Sequence, residues 1–144
     1  MAWYDNNMKS VVICGSQRYK GEMIGFAKKL EKLGVPLVLI PDFRWTRDRL
    51  LVASEADRLK SKRYRQRLPG VVRGHLHKIL KADVCFVYNK NGYIGVNTTL
   101  EVGAAAALNK FIFALERDKT EPCRDILFDK IVKTPEELVA YLKD

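Results

Sequence analysis

The chain has 144 residues, 47% hydrophobic and 30% charged, which suits one ordinary globular domain and excludes a disordered chain, a collagen-like chain or a disulfide scaffold. No apolar run approaches the roughly 18 residues of a membrane span, and Met1-Ala2-Trp3-Tyr4-Asp5-Asn6-Asn7 lacks the basic-then-apolar order of a secretory leader, so a cytoplasmic protein without membrane contact is expected. The net charge of +9 is local: Arg44 to Lys81 holds twelve Lys and Arg against Asp48, Glu55 and Asp57, and elsewhere the charges cancel.

Lys9 to Ser16 (KSVVICGS) has three β-branched residues in a row, then Cys and Gly, and reads as a buried strand ending in a turn. Lys20 to Leu33 carries Met23, Ile24, Ala27 and Leu30 at helical spacing. Gly34 ends that helix. Val35 to Ile40 is a second strand, closed by Pro41. Thr46 to Lys81 is longer than one crossover helix. Leu50, Leu51, Ala53, Ala56 and Leu59 suggest a charged helix broken at Pro69-Gly70. Val72, Leu76, Ile79 and Leu80 mark another. Asp83 to Tyr88 is a third strand, with Asp83 at its amino end in a structural role. Thr98 to Leu108 is an Ala-rich helix, Phe111 to Leu115 a fourth strand and Lys130 to Val132 a short fifth. Thr134 caps a closing helix, Pro135 to Leu142.

Strands apolar throughout and separated by helices predict a parallel sheet covered on both faces. Five of them in this length predict a flavodoxin-like α/β fold, strand order 2-1-3-4-5, with ligands at the carboxyl ends of the strands. The whole of 1–144 reads as one domain with a basic helical insertion at about 46–81. The first part of that insertion, Thr46 to Arg67, is expected to cover the strand ends as a lid.

Gly15-Ser16-Gln17-Arg18 follows the first strand and opens a helix. Backbone N–H groups, a hydroxyl and a guanidinium at such a point form an anion site. The run from Asn91 to Glu101 (NGYIGVNTTLE) follows the third strand. Its glycines, Gly92 and Gly95, allow a ligand to approach the backbone closely. Thr98-x-x-Glu101 has the spacing of a capping box. The same helix start favours an ionised Glu101, and an ionised carboxylate at the mouth of a sheet suits attack on an electrophilic sugar carbon.

Gly15-Ser16-x-Arg18 together with Gly92-Tyr93-Ile94-Gly95-x-Asn97-Thr98-x-x-Glu101-x-Gly103 resembles the nucleoside 2-deoxyribosyltransferase family, including the related deoxynucleoside 5'-monophosphate N-glycosidases. The resemblance covers the first strand and Asp83 to about Leu115. It implies a nucleophilic glutamate at Glu101 and a sugar- or phosphate-end contact at Ser16 and Arg18. Gly15, Tyr93, Gly95, Asn97 and Thr98 join them as substrate-binding candidates, with Tyr93 able to stack on a base. The implied substrate is a 2'-deoxynucleoside or its 5'-monophosphate, cleaved or transferred at the N-glycosidic bond without a cofactor, by a homodimer or higher homo-oligomer. The family's acids just after the third strand and in the following loop are replaced here by Asn89, Asn91 and Asn97. Asp42, after the second strand, is therefore the candidate acid.

His75 and His77 stand two apart and do not share a helix face. No Cys or carboxylate completes a metal set beside them, and both are expected on the surface or the lid. Cys14, Cys85 and Cys123 form no CxxC pair and are expected as free thiols. The alternative function is a non-catalytic nucleotide-binding module, or a nucleic-acid-binding one using Arg58 to Arg67.

Overall fold

The computed structural model describes residues 7–43 and 53–143. Five strands, Val11–Gly15 (β1), Val38–Leu39 (β2), Val84–Tyr88 (β3), Phe111–Ala114 (β4) and Lys130–Ile131 (β5), form one all-parallel sheet in the order β2-β1-β3-β4-β5. The register sets Val11 beside Val84 and Gly15 beside Tyr88, so β1 and β3 end level with each other. The helices are Lys20–Lys32 (α1), Glu55–Arg58 (α2), Lys62–Lys81 (α3), Val96–Ala107 (α4), Pro122–Asp125 (α5) and Pro135–Leu142 (α6).

Alternate residues of each strand feed two cores, because successive side chains leave opposite faces. Val11, Ile13, Phe86 and Phe113 pack with Met23, Phe26 and Leu30 of α1 and Leu138 and Leu142 of α6. Val12, Cys14, Cys85, Val87 and Ile112 pack on the other face with Ile79 of α3 and Val102 and Ala105 of α4. Burial on both faces is why these strands read as continuous apolar runs.

Gly34, at φ +98°, ends α1 as expected. Thr134 caps α6, its hydroxyl accepting the Glu137 N–H at 3.2 Å. Asp83 accepts from the Ser10 N–H (2.8 Å) and hydroxyl (3.0 Å), fastening the amino end of β3 to β1. The second strand is shorter than its apolar run. Val35 donates its N–H to Leu30 and so completes the end of α1, and Pro36 has no N–H to give a ladder.

Pro69-Gly70 does not break the insertion. α3 runs through both, from a Ser61 cap on the Tyr64 N–H to Lys81. A proline there forfeits the bond to the Arg65 carbonyl and costs about 3 kcal/mol. Burial of Tyr64, His75 and Ile79 along the helix, and its packing against α4, outweigh that loss. Of the expected first helix, the described part is only α2, four residues capped by Ser54. Thr46, Leu50 and Leu51 lie outside the described residues. Among the described residues no helix is long and apolar enough to cross a membrane.

Candidate active site

A cavity of about 360 Å³ opens at the carboxyl ends of β1 and β3. The loop after β1 supplies Gly15, Ser16 and Arg18, and the loop into α4 supplies Tyr93, Gly95, Asn97 and Thr98. Asp42 and Glu101 line it too, and Ser54, Glu55 and Arg58 close one side. The expected site residues are thus brought to one cavity, and the described end of the expected lid borders it.

Gly15 is demanded by packing: a Cβ there would stand 2.8 Å from Met23 Sδ and 2.9 Å from the Tyr88 carbonyl oxygen. The chain then turns through a 3-10 turn, Gln17–Tyr19, where the Ser16 hydroxyl accepts the Arg18 N–H at 3.3 Å. Arg18 lays its guanidinium over the Tyr93 ring, 3.7 Å from the centroid. Tyr19 donates its hydroxyl to the Lys90 carbonyl at 2.9 Å and ties the two loops together.

Asn89, where the resembled family carries an acid, is fully buried and committed. Its amide donates to the Glu116 carbonyl at 2.7 Å and accepts the Glu116 N–H at 3.0 Å, clasping the ends of β3 and β4. Asn91 and Gly92 follow at φ 59° and 75°, with the Asn91 N–H bonded to the Glu116 carboxylate.

The capping box is not formed. α4 starts two residues earlier than expected, with Gly95 as N-cap, so Thr98 sits inside the first turn and is buried. Thr99 takes over the local bonding. Its hydroxyl donates to the Gly95 carbonyl at 2.9 Å and accepts from Arg124 at 3.0 Å. Arg124 also grips Asp118 at 2.6 Å. Burial would raise the Asp118 pKa, but Arg124, Thr120 and two backbone N–H groups hold it at about 2.

Released from capping, Glu101 faces the cavity. Its side chain is 12% exposed. The expectation of a dipole-stabilised carboxylate is overturned: burial pushes Glu101 up to about 8, only partly opposed by Lys78. Glu101 is the sixth residue of α4, beyond the first turn in which the dipole acts.

His75 is buried rather than on the surface. Its Nε2 lies 3.6 Å from Glu101 Oε2 and 3.4 Å from Cys14 Sγ, and Cys14 Sγ lies 3.4 Å from Cys85 Sγ. Burial, reinforced by the Lys78 charge, lowers His75 to about 4 against a weaker pull from the Ile13 backbone. The Cys85 contact, then burial, raises the Cys14 thiol. At neutral pH the cluster is therefore a carboxylic acid, a neutral imidazole and a thiol. The signal for His75 was present: Val72, His75, Leu76 and Ile79 follow i, i+3, i+4, i+7, one helix face. His77 falls on the exposed side.

The fold also supplies what sequence spacing did not, a thiol and a carboxyl beside His75. Ligand atoms of Cys14, His75 and Glu101 all lie within 4.8 Å of one another. Such a sulfur, nitrogen and oxygen set suits a borderline-soft divalent ion such as zinc, which would have to displace the protons of the thiol and the carboxyl.

No protein-family model matches the chain, and no curated protein is similar to it in sequence. Among solved structures, a conserved protein from Enterococcus faecalis V583 shares the architecture at TM-score 0.54 and 13% identity, over 94% of this chain and 97% of that one. A CMP N-glycosidase from Clostridium botulinum, BcmB, aligns at TM-score 0.48 and 15% identity, over 93% of this chain and 97% of that one. The first likeness speaks for the fold alone.

Proposed function

We propose that the protein cleaves or transfers at the N-glycosidic bond of a 2'-deoxynucleoside or its 5'-monophosphate, with Glu101 as the nucleophile. The observation that carries this reading is the Glu101 carboxyl, held in the strand-end cavity together with Arg18, Ser16, Tyr93 and Asn97.

Glu101 must ionise to attack. With His75 too weak a base at about 4 to take that proton, Glu101 gives it to solvent, and its raised value of about 8 means that the reactive fraction grows as pH rises towards 8. A Glu101 oxygen then forms a bond to C1' as the C1'–N bond breaks. The departing base takes a proton, for which Asp42 is the candidate donor. Water or a second base attacks the glycosyl ester and frees Glu101, and two displacements retain the anomeric configuration. Arg18 and Ser16 hold the phosphate end, and Tyr93 borders the base or sugar. The reading carries with it a single-domain cytoplasmic enzyme working as a homodimer or higher oligomer.

Incubation with each deoxynucleoside and deoxynucleotide, followed by chromatography for free base, tests the reaction. Glu101→Gln should lower base release by orders of magnitude with the fold intact; full activity in that variant ends the reading. Arg18→Ala should weaken a 5'-monophosphate roughly 10- to 100-fold, the worth of one charge-assisted contact of about 1.5–3 kcal/mol. A free nucleoside should hardly notice. Equal effects on both would remove the phosphate role. One observation favours a second reading, a non-catalytic nucleotide-binding module: Asn89 is locked to Glu116 and offers no acid. That reading predicts nucleotide binding with no free base from any substrate.

A further inference from the structure

Beside the Glu101 cavity lies a larger one, of about 660 Å³, walled by α3. Arg63, Arg67, Gly70, Gly74 and Lys78 line it, and their three- and four-residue spacing places them on one stripe of the helix. The stripe is cationic at both ends and hollow between. A Cβ added at Gly70 or Gly74 would meet nothing within 4 Å. α3 carries seven Lys and Arg and no acid. Among the described residues no carboxylate pairs with Arg63 or Arg67, and Asp42 is the single acid lining this cavity. A run of charges is ordinarily a solvated helix face. This one borders a concavity, in which Gly70 and Gly74 leave room along the helix between the cations.

The two cavities share Asp42, Val71 and His75. Arg18 lines only the smaller, and Arg63 and Arg67 only the larger. The two groups of cations thus border different cavities, and a nucleoside 5'-monophosphate has only one phosphate to place between them. We propose that the α3 cavity is a second anion subsite, and that the ligand spanning both cavities is a nucleotide with a further phosphate beyond the one at Arg18. This rests on the reading of the smaller cavity as a nucleotide site. The further phosphate is either a 3'-phosphate or the outer part of a 5'-polyphosphate. Planar guanidinium groups one helical turn apart suit its oxygens.

Calorimetric titration of the whole protein with a 5'-monophosphate, a 3',5'-bisphosphate and a 5'-triphosphate of the same deoxynucleoside, for each of the four bases, tests this. Free base is read in the same samples, so the chemistry is scored apart from the affinity. The bisphosphate or the triphosphate should bind about 10- to 100-fold tighter than the monophosphate, and whichever does identifies the source. The double variant Arg63→Gln, Arg67→Gln should lose that gain and keep the affinity for the monophosphate. Arg63→Lys, Arg67→Lys should keep most of it, which separates lost charge from lost packing. Arg18→Ala should weaken all three ligands alike. Equal affinity for the three overturns the proposal, and so does a double variant that weakens the monophosphate as much as the others. A gain in affinity without free base supports the subsite and counts against the glycosidic reaction alone.

Discussion

Glu101 and His75 are both pushed towards neutrality by the same burial, and each leaves a signature in pH. Glu101 titrates at about 8 when folded and near 4.3 when unfolded, so the folded chain holds a proton that the unfolded chain has lost. The stability it contributes is present below about pH 4.3 and drains away as pH rises through about 8. His75 has the opposite sign. With a folded value of about 4 against about 6.5 unfolded, its contribution is present above pH 6.5 and lost as pH falls through 4. Glu101→Gln should remove the first loss. Denaturant unfolding should show the variant gaining on the parent by about 5 kcal/mol between pH 4 and 8. Parallel curves would mean that Glu101 is already ionised in the folded chain. None of this could be read from Thr98-x-x-Glu101, whose spacing describes a capping box equally well. The choice was made by Gly95, which starts α4 two residues early and frees the carboxyl.

α3 is the element where local sequence rules and tertiary packing disagree. Pro69-Gly70 is a strong local stop signal, and the helix continues because Tyr64 on one side of it and His75 and Ile79 on the other are buried along the same helix. Pro69 itself is exposed and stands outside both hydrophobic cores. Pro69→Ala should therefore stabilise the protein by about 2 kcal/mol, the returned Arg65 hydrogen bond less the freedom regained by the unfolded chain. A fall in thermal midpoint would show that the proline is needed, for instance to bend α3 around the larger cavity. The strands were far more legible than this helix. Val11 to Cys14 and Val84 to Val87 are buried on both faces, so their apolar runs carry the assignment unaided. β2 was overestimated, because Val35 is claimed by the end of α1 and Pro36 has no donor.

Over the whole molecule, charge and architecture divide cleanly. The sheet, α1 and α6 account for most of the core, while the excess positive charge sits on the segment from 44 to 81. Seven like charges on α3 repel one another, and salt shortens the range of that repulsion to about 10 Å at 0.1 M. Moderate sodium chloride should raise the thermal midpoint, and inorganic pyrophosphate should raise it further at equal ionic strength by binding the folded form. Indifference to both would mean that the cations are too far apart to act together. Strand order and the carboxyl-edge position of the site were legible from apolar runs and loop motifs. The pairing of His75 with Glu101 was not, because it joins α3 to α4 across the fold.

The three thiols end in very different situations. Cys14 and Cys85 are sealed behind the cavity wall, the first with its thiol held strongly protonated, while Cys123 stands exposed at the start of α5. Its neighbour Arg124 reaches Thr99 in the first turn of α4. A maleimide dye added to the native protein should therefore attach at one position without any cysteine being removed. It would report, through a two-residue relay, on the helix start that holds Glu101.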